Sequence, residues 1–403
     1  MRGFARRTPV AVVLDWLRSH VAWRDVEQVS AAQAAGRVLA DSITSGIDVP
    51  GFVRAMMDGF AVQAADTLGA TAYNELPLAV IGQSLPGRPA DVAVGPGQAV
   101  RIMTGAALPA GADAVLPVEH VRVEPSRIVA LGETSPGKHV ACRGEDIAAG
   151  TVVLEPGRRL RPQDVGVLVS LGVASVPVVR RPRVRIVVAG NELLPAGSRP
   201  NGVLIVDSNG PMLAAFAERD GADVCRAGIV GDEPEAICDA MCDDADVILV
   251  SGGSSVGQED HAPRLLARDG ELIFHGIAMR PSSPAGIGTL GGRLVFLLPG
   301  NPVSCLCAYD FFAGRAVRLL GGRAWDWPYR RISGRLRRKL ASMVGRVDYA
   351  RVKVTDAGVE PLAISGASVL SSTTRADGFV VVPEDSEGYV EGADVDVFLY
   401  DLP

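Results

Sequence analysis

The sequence predicts a multidomain α/β protein. Its central domain is a three-layer α/β unit with a mostly parallel sheet, flanked by a β-rich N-terminal module and a small all-β C-terminal domain. Three observations carry this reading. From Arg183 to Leu320, short apolar runs alternate with helical stretches, as βαβ units require. Residues 64–145 and 325–403 instead carry short strand-like runs between Gly, Pro and Ser turns. A chain of 403 residues is also long enough for on the order of two to four domains.

The N-terminal MRGFARRTP is basic, but the apolar run from Val10 to Leu17 is interrupted by Asp15, which predicts a short helix rather than a secretory leader. Helical spacing continues over Val10–Val21, and Ala31–Leu39 reads as a second helix after a Ser30 cap. Asp48 to Val62 holds a Pro50-Gly51 loop, and Asp58-Gly59 makes a tight turn into a strand. Asp58 either starts that turn or offers a carboxylate to a ligand. Arg101–Met103 ends a strand with Thr104-Gly105 at its tip, where Thr104 offers a hydroxyl and an N–H to an anion or simply joins two strands. Gly144-Glu145-Asp146-Ile147 places two carboxylates in a turn, commonly a solvated feature. Gln163–Leu171 is helical with Gly172 as its stop, and the basic, Pro-marked VPVVRRPR (176–183) suggests a domain boundary.

The α/β region begins with a buried strand at Val184–Ala189, followed by the turn Gly190-Asn191-Glu192-Leu193. Ile205–Asn209 leads into a helix with Ser208 or Asn209 as cap and Pro211 in its first turn, ending at Gly221. A strand over Ala222–Val230 precedes Asp232, and a helix covers Glu233–Cys242. Val247–Val250 is a buried strand that breaks into Ser251-Gly252-Gly253-Ser254-Ser255, with Asp260 closing the loop. Leu294–Leu298 is another, running into Pro299-Gly300-Asn301 and a long apolar helix from Cys305 to Leu320. Open α/β sheets bind ligands outside the carboxyl ends of their strands. Glycine loops bring backbone N–H groups to an anion there, with serine hydroxyls as further donors. Glu192, Asp232 and Asp260 beside such loops suit a divalent cation bridging them to that anion, or each caps the helix that follows. In the last module Arg346 is an oxyanion candidate, while Arg335, Arg337, Arg338 and Lys339 read as a solvated face.

The bulk composition excludes several classes. Hydrophobic residues make up 48% and charged residues 21%, as in globular proteins. The net charge of −6 argues against broad nucleic-acid binding, and no apolar run reaches the roughly 18 residues of a membrane helix. Six cysteines without a Cys-x-x-Cys and five scattered His argue against zinc and a disulfide framework, so reduced thiols in a cytoplasmic setting are expected.

The motifs MMDGFAV, RIMTGAALPAGADAV, RGEDI, AGNEL, IVDSNGPML, SGGSSVGQED and LLPGNPVS follow one another in the order of a single family. Over nearly the whole chain the sequence resembles the molybdopterin molybdenumtransferases, which include the bacterial molybdate-insertion enzymes and the E domain of gephyrin. The resemblance implies a homodimer of four-domain subunits: 1–26 with 146–180, 27–145, 181–324 and 325–403. It implies Mg2+-dependent insertion of molybdate into adenylylated molybdopterin with release of AMP, at an active site on the dimer interface. An adenylyltransferase and molybdoenzyme clients would be the protein partners. It assigns functional roles to Asp58, Thr104, Asp146 and Arg280, metal ligation to Glu192, Asp232 and Asp260, and molybdate placement to Arg346 and Ser368. The loops Ser251–Ser255 and Pro299–Asn301 would bind the pterin nucleotide.

Two departures stand out. Asn191 replaces the first acid of the family's T-G-D-E-L. Where the family reads M-K-P-G-K-P, this chain has Met279-Arg280-Pro281-Ser282-Ser283-Pro284, so one lysine becomes Arg280 and the other the uncharged Ser283. Those changes keep alternatives open: a tungstate-preferring paralogue, or a non-catalytic pterin-binding or delivery scaffold. A hydrolase of a pyrophosphate-linked nucleotide shares the Gly loop and carboxylates but leaves Arg346 without a task.

Overall fold

A computed structural model describes residues 7–23, 25–253, 261–363 and 366–400. The chain forms two compact units, one of residues 1–27 with 179–403 and one of residues 28–178.

In the unit of residues 28–178 the main sheet has six strands. Gly59–Val62 lies between Ala114–Pro117 and Gln98–Ile102, both antiparallel to it, and Leu76–Ser84 runs parallel to Gln98–Ile102 on the far side. Phe60 and Val62 pack into one core with Leu116 and Ile128, while Ala61 packs into another with Val100, Ile102 and Val115. All four residues of Gly59–Val62 are therefore buried, and the position of Asp58 at its start is fixed by packing on both faces. The helix expected at 31–39 is replaced by a single 3-10 turn, Ala31–Gln33. Gly36 follows in the left-handed region (φ 80°), and Val38 and Leu39 then make antiparallel bridges to Arg159 and Val178. Ala31, Ala34 and Leu39 reach the core as a helix face would, which is why the spacing misleads. The expected helix and its glycine stop are present as Pro162–Ser170 and Gly172.

In the other unit, helix Val10–His20 buries Val10, Val13 and Leu17 in the core of the α/β sheet, although the four-domain division groups it with 146–180. The strands of this sheet are numbered β1 to β6 in chain order: Arg183–Ala189, Asp223–Val230, Val247–Ser251, Glu271–His275, Gly286–Leu290 and Arg293–Leu298. Their order is β2-β1-β3-β6-β5-β4; the first four run parallel, and β5 and β4 are antiparallel additions. Alternate residues of β1 face opposite cores. Val184, Ile186 and Val188 meet Leu213, Phe312 and Ala316 from helices 209–220 and 302–320, while Val187 and Ala189 meet Ile237 and Leu266 from helices 234–241 and 262–269. Helices thus cover both faces, giving the three layers read from the sequence. The antiparallel pair was not foreseen. β5 is Gly-rich because β4 lies so close: a Cβ on Gly288 would stand 2.1 Å from the Glu271 carbonyl oxygen.

The long helix starts earlier than expected, at Pro302, and is continuous to Leu320 through a π segment, Tyr309–Ala313. The C-terminal residues form a sheet with Val347–Thr355 at its centre. Met279–Arg280 joins its edge parallel to that strand, pairing Met279 with Val347 and Arg280 with Asp348.

Candidate active site

β2 and β3 lie on opposite sides of β1, so connections leave the sheet in opposite directions and open a crevice at the carboxyl ends of β1 and β3. The chain must come very close to itself there. A Cβ on Gly252 would stand 2.1 Å from the Ala189 carbonyl oxygen, and Gly252 has φ 93°. Only glycine suits that position.

A cavity of about 630 Å3 occupies the crevice, with Glu192, Asp232, Ser251, Gly252, Gly253, Pro299, Gly300, Asn301 and Ser368 among its walls. Asn209, the first residue of helix Asn209–Asp220, clamps the loops after β3 and β6: its Nδ2 donates to Ser251 Oγ (2.9 Å) and to the Gly300 carbonyl (2.8 Å). Its Oδ1 is buried, accepts nothing from the protein among the described residues, and belongs to a side chain lining the cavity. Ser208 stands at the N-cap position as expected, but its side chain makes no capping bond, which comes instead from Asp207. Asp207 Oδ1 accepts the Gly210 N–H (2.8 Å), and Oδ2 lies 3.5 Å from Arg226. Sequence reasoning took Asn209 only as a cap and passed over Asp207. The signal available was the polar Asp-Ser-Asn run directly after a short strand, Ile205–Val206.

Asp232 and Asn191 hold each other. The Asn191 N–H donates to Asp232 Oδ2 (3.0 Å), and the Asp232 N–H donates to Asn191 Oδ1 (3.3 Å). The amide at 191 thus closes the loop after β1 onto the loop after β2 without a further negative charge beside Asp232. Among the described residues no cluster of three or more His, Cys, Asp or Glu could hold a metal. Asp260, Ser254 and Ser255 lie outside the described residues. Two carboxylates facing one cavity nevertheless fit Mg2+, which is bound by one or two carboxylates, waters and substrate phosphates.

A second cavity, of about 350 Å3, adjoins the first and shares Pro284, Pro299 and Asn301 with it. Its character is cationic. Arg7, Arg280 and Arg346 line it, with Ser283, Ser304 and Gly366. The Ser282 hydroxyl donates to the Ser304 carbonyl, whereas the buried Ser283 hydroxyl has no protein partner among the described residues. Arg280 forks onto the wholly buried Asp348: its Nε donates to Oδ1 (3.0 Å) and its Nη2 to Oδ2. Arg346 Nε lies 3.3 Å from the same Oδ1. Asp348 escaped sequence reasoning because its partner is 68 residues away and meets it only through strand register.

Asp58, Thr104 and Asp146 belong to the unit of residues 28–178. Asp58 and Thr104 meet because Gly59 pairs with Ile102 across adjacent strands. Asp58 Oδ1 accepts both the Thr104 N–H and the Thr104 hydroxyl, each at 2.7 Å, and these bonds hold the Asp58 carboxyl below the usual carboxylate range. Asp146 follows the turn at 143–144, and its N–H donates to the Val49 carbonyl (3.0 Å). Asp48 in the same region accepts Arg143 Nε (2.6 Å) and the Ala149 N–H (2.8 Å).

The chain is similar to known proteins along most of its length. Residues 8–172 match the family described as "MoeA N-terminal region (domain I and II)", residues 185–318 the "Probable molybdopterin binding domain" and residues 333–400 the "MoeA C-terminal region (domain IV)". The chain is 34% identical over 383 residues to molybdopterin molybdenumtransferase 2 of Mycobacterium tuberculosis, covering 92% of this chain and 94% of the relative. It is 31% identical over 380 residues to the molybdopterin molybdenumtransferase of Staphylococcus aureus, with 92% and 90% covered. The crystal structure of a molybdopterin biosynthesis moeA protein from Pyrococcus horikoshii superposes with a TM-score of 0.84 at 32% identity, over 98% of this chain and all of that one.

Proposed function

This chain belongs to the molybdopterin molybdenumtransferase family, transferases of molybdenum cofactor biosynthesis, and on that premise we propose the reaction and the site. The protein takes adenylylated molybdopterin and molybdate and yields molybdenum cofactor and AMP. The observation that carries this reading is the pair of adjoining cavities, one walled by glycine loops and carboxylates and one by arginines. Two dissimilar anions that must react need two such compartments side by side.

The larger cavity receives the nucleotide and its phosphates. The Gly253 backbone N–H approaches the phosphates, the Gly252 N–H being spent on the Leu298 carbonyl (3.3 Å), and Asn209 Oδ1 is available to a ligand N–H or O–H. Glu192 and Asp232, with Asp260, would hold Mg2+, which when bound neutralises charge on the phosphates as the bond to AMP breaks. The smaller cavity holds molybdate against Arg280 and Arg346. Ser368, on the wall of the larger cavity, helps place the oxyanion. Asp58, Thr104 and Asp146 contribute to function in a cytoplasmic homodimer. The proposed division is into four domains: 1–26 with 146–180, 27–145, 181–324 and 325–403, the first of which draws on both compact units. An adenylyltransferase supplies the substrate and molybdoenzymes take the product.

The test is AMP release from adenylylated molybdopterin with Mg2+ and molybdate, tungstate or no oxyanion. Molybdate-dependent release supports the transferase. Stronger release with tungstate would assign the altered Arg280/Ser283 pocket to that oxyanion. Tight binding without release would identify a pterin-delivery scaffold, and release without oxyanion a hydrolase.

A further inference from the structure

Asp348 does not face the larger cavity, and the reaction gives it no part. It nevertheless touches two of the three guanidiniums of the smaller one, Arg280 and Arg346, Arg7 being the third. Arg280 spends Nε and Nη2 on it, and Arg346 places Nε 3.3 Å from it. Ser342 Oγ donates to Asp348 Oδ2 (2.6 Å), so both carboxylate oxygens are held. The Asp348 side chain is fully buried, whereas Arg280 and Arg346 keep 29% and 24% of theirs exposed. Each arginine therefore turns its Nε edge inward to Asp348 and has Nη donors left for the cavity. Two guanidiniums held close by one carboxylate would repel one another without it.

We propose that Asp348 is a positioning residue for the oxyanion. It aims Arg280 and Arg346 into the smaller cavity, and the unpartnered Ser283 hydroxyl supplies a neutral donor where the related motif carries a second lysine. This rests on the reading that the smaller cavity binds molybdate. With Arg7 also on its wall, the pocket works with a net charge of +2 from Arg7, Arg280, Arg346 and Asp348, and the fixed donors of Arg280 and Arg346 add geometric selection to that charge.

The sign of one substitution separates geometry from charge. Asp348→Asn removes a negative charge beside the site, so if Asp348 only tuned the field, molybdate would bind more tightly. If Asp348 positions the arginines, molybdate binds more weakly, by about ten-fold or more, the range for supporting residues of this kind. The experiment is equilibrium dialysis of molybdate against the full-length protein, Asp348→Asn, Arg346→Gln and the double variant, with AMP affinity measured in parallel. The expected result is weaker molybdate binding in Asp348→Asn, unchanged AMP affinity, and a double variant whose loss is smaller than the two single losses combined, because Asp348 acts in part through Arg346 and in part through Arg280. Equal or tighter molybdate binding in Asp348→Asn overturns the proposal, as does a parallel loss of AMP affinity. If Asp348→Asn does not fold, Ser342→Ala carries the test: weaker molybdate binding supports the proposal, and wild-type affinity overturns it. A wild-type protein that binds molybdate in this Asp348-dependent way but releases no AMP would sink the transferase chemistry and leave the positioning role standing. One that binds no molybdate overturns the positioning role as well.

Discussion

At the scale of single residues the site depends on close approaches that few side chains tolerate. Gly252→Ala places a methyl against the Ala189 carbonyl and forces an L-residue to φ 93°. That substitution is expected to destabilise the protein by at least about 2 kcal/mol and to abolish AMP binding, as checked by thermal denaturation and calorimetry. Asp58 offers a pH-dependent test. Its folded pKa is lowered because the Thr104 N–H and hydroxyl bond the charged form. The bond network is thus fully present above the ordinary carboxylate pKa and is lost as pH falls through the lower folded value. In Thr104→Val the hydroxyl is gone and the N–H remains, so the Asp58 pKa should move up toward the ordinary value; carbon-detected NMR titration of Asp58 reads it directly. Glu192, Asp232, Ser251 and the Pro299 loop were legible in the sequence as polar or glycine-rich positions just past apolar runs. Asp348 was not, because its role depends on the register of two strands far apart in the chain.

Among elements, the parallel strands were the easiest to read. β1, β3 and β6 are covered on both faces, so each is a nearly unbroken apolar run. The elements that escaped or misled do not present that pattern. β5 is shaped by glycines that admit its neighbour, and 31–39 has core-facing residues at helical spacing but turns at Gly36. Ser208 holds the N-cap position of helix Asn209–Asp220, but the side-chain bond that satisfies the helix start comes from Asp207, one residue further out. Asp207→Ala should cost about 1 kcal/mol for the lost cap, and more because Arg226 loses its partner, as read from a urea midpoint. The loss should extend to nucleotide binding, because the same helix start carries Asn209 between the loops after β3 and β6.

For the molecule as a whole, burial sorts the six thiols. Cys305 and Cys307 are buried, and desolvation pushes the Cys305 thiol up to about 12; Cys142, Cys225 and Cys242 are exposed. A thiol reagent at neutral pH should modify the exposed three rapidly and leave Cys305 and Cys307 unmodified until the protein is denatured, as mass spectrometry of the labelled peptides would read. The family was legible because its motifs fall mainly on strand ends and loops that glycine geometry and charge constrain, and those of the α/β region line the larger cavity. The central claim is that the two adjoining cavities divide the work, one holding the nucleotide and the other the oxyanion. The measurement that tests it most directly is AMP release from adenylylated molybdopterin across a molybdate titration, wild type against Arg346→Gln, with AMP binding measured on both. The account predicts saturable, molybdate-dependent release in the wild type, loss of that dependence in Arg346→Gln, and equal AMP affinity in the two proteins. Release from Arg346→Gln with an unchanged molybdate dependence would contradict it.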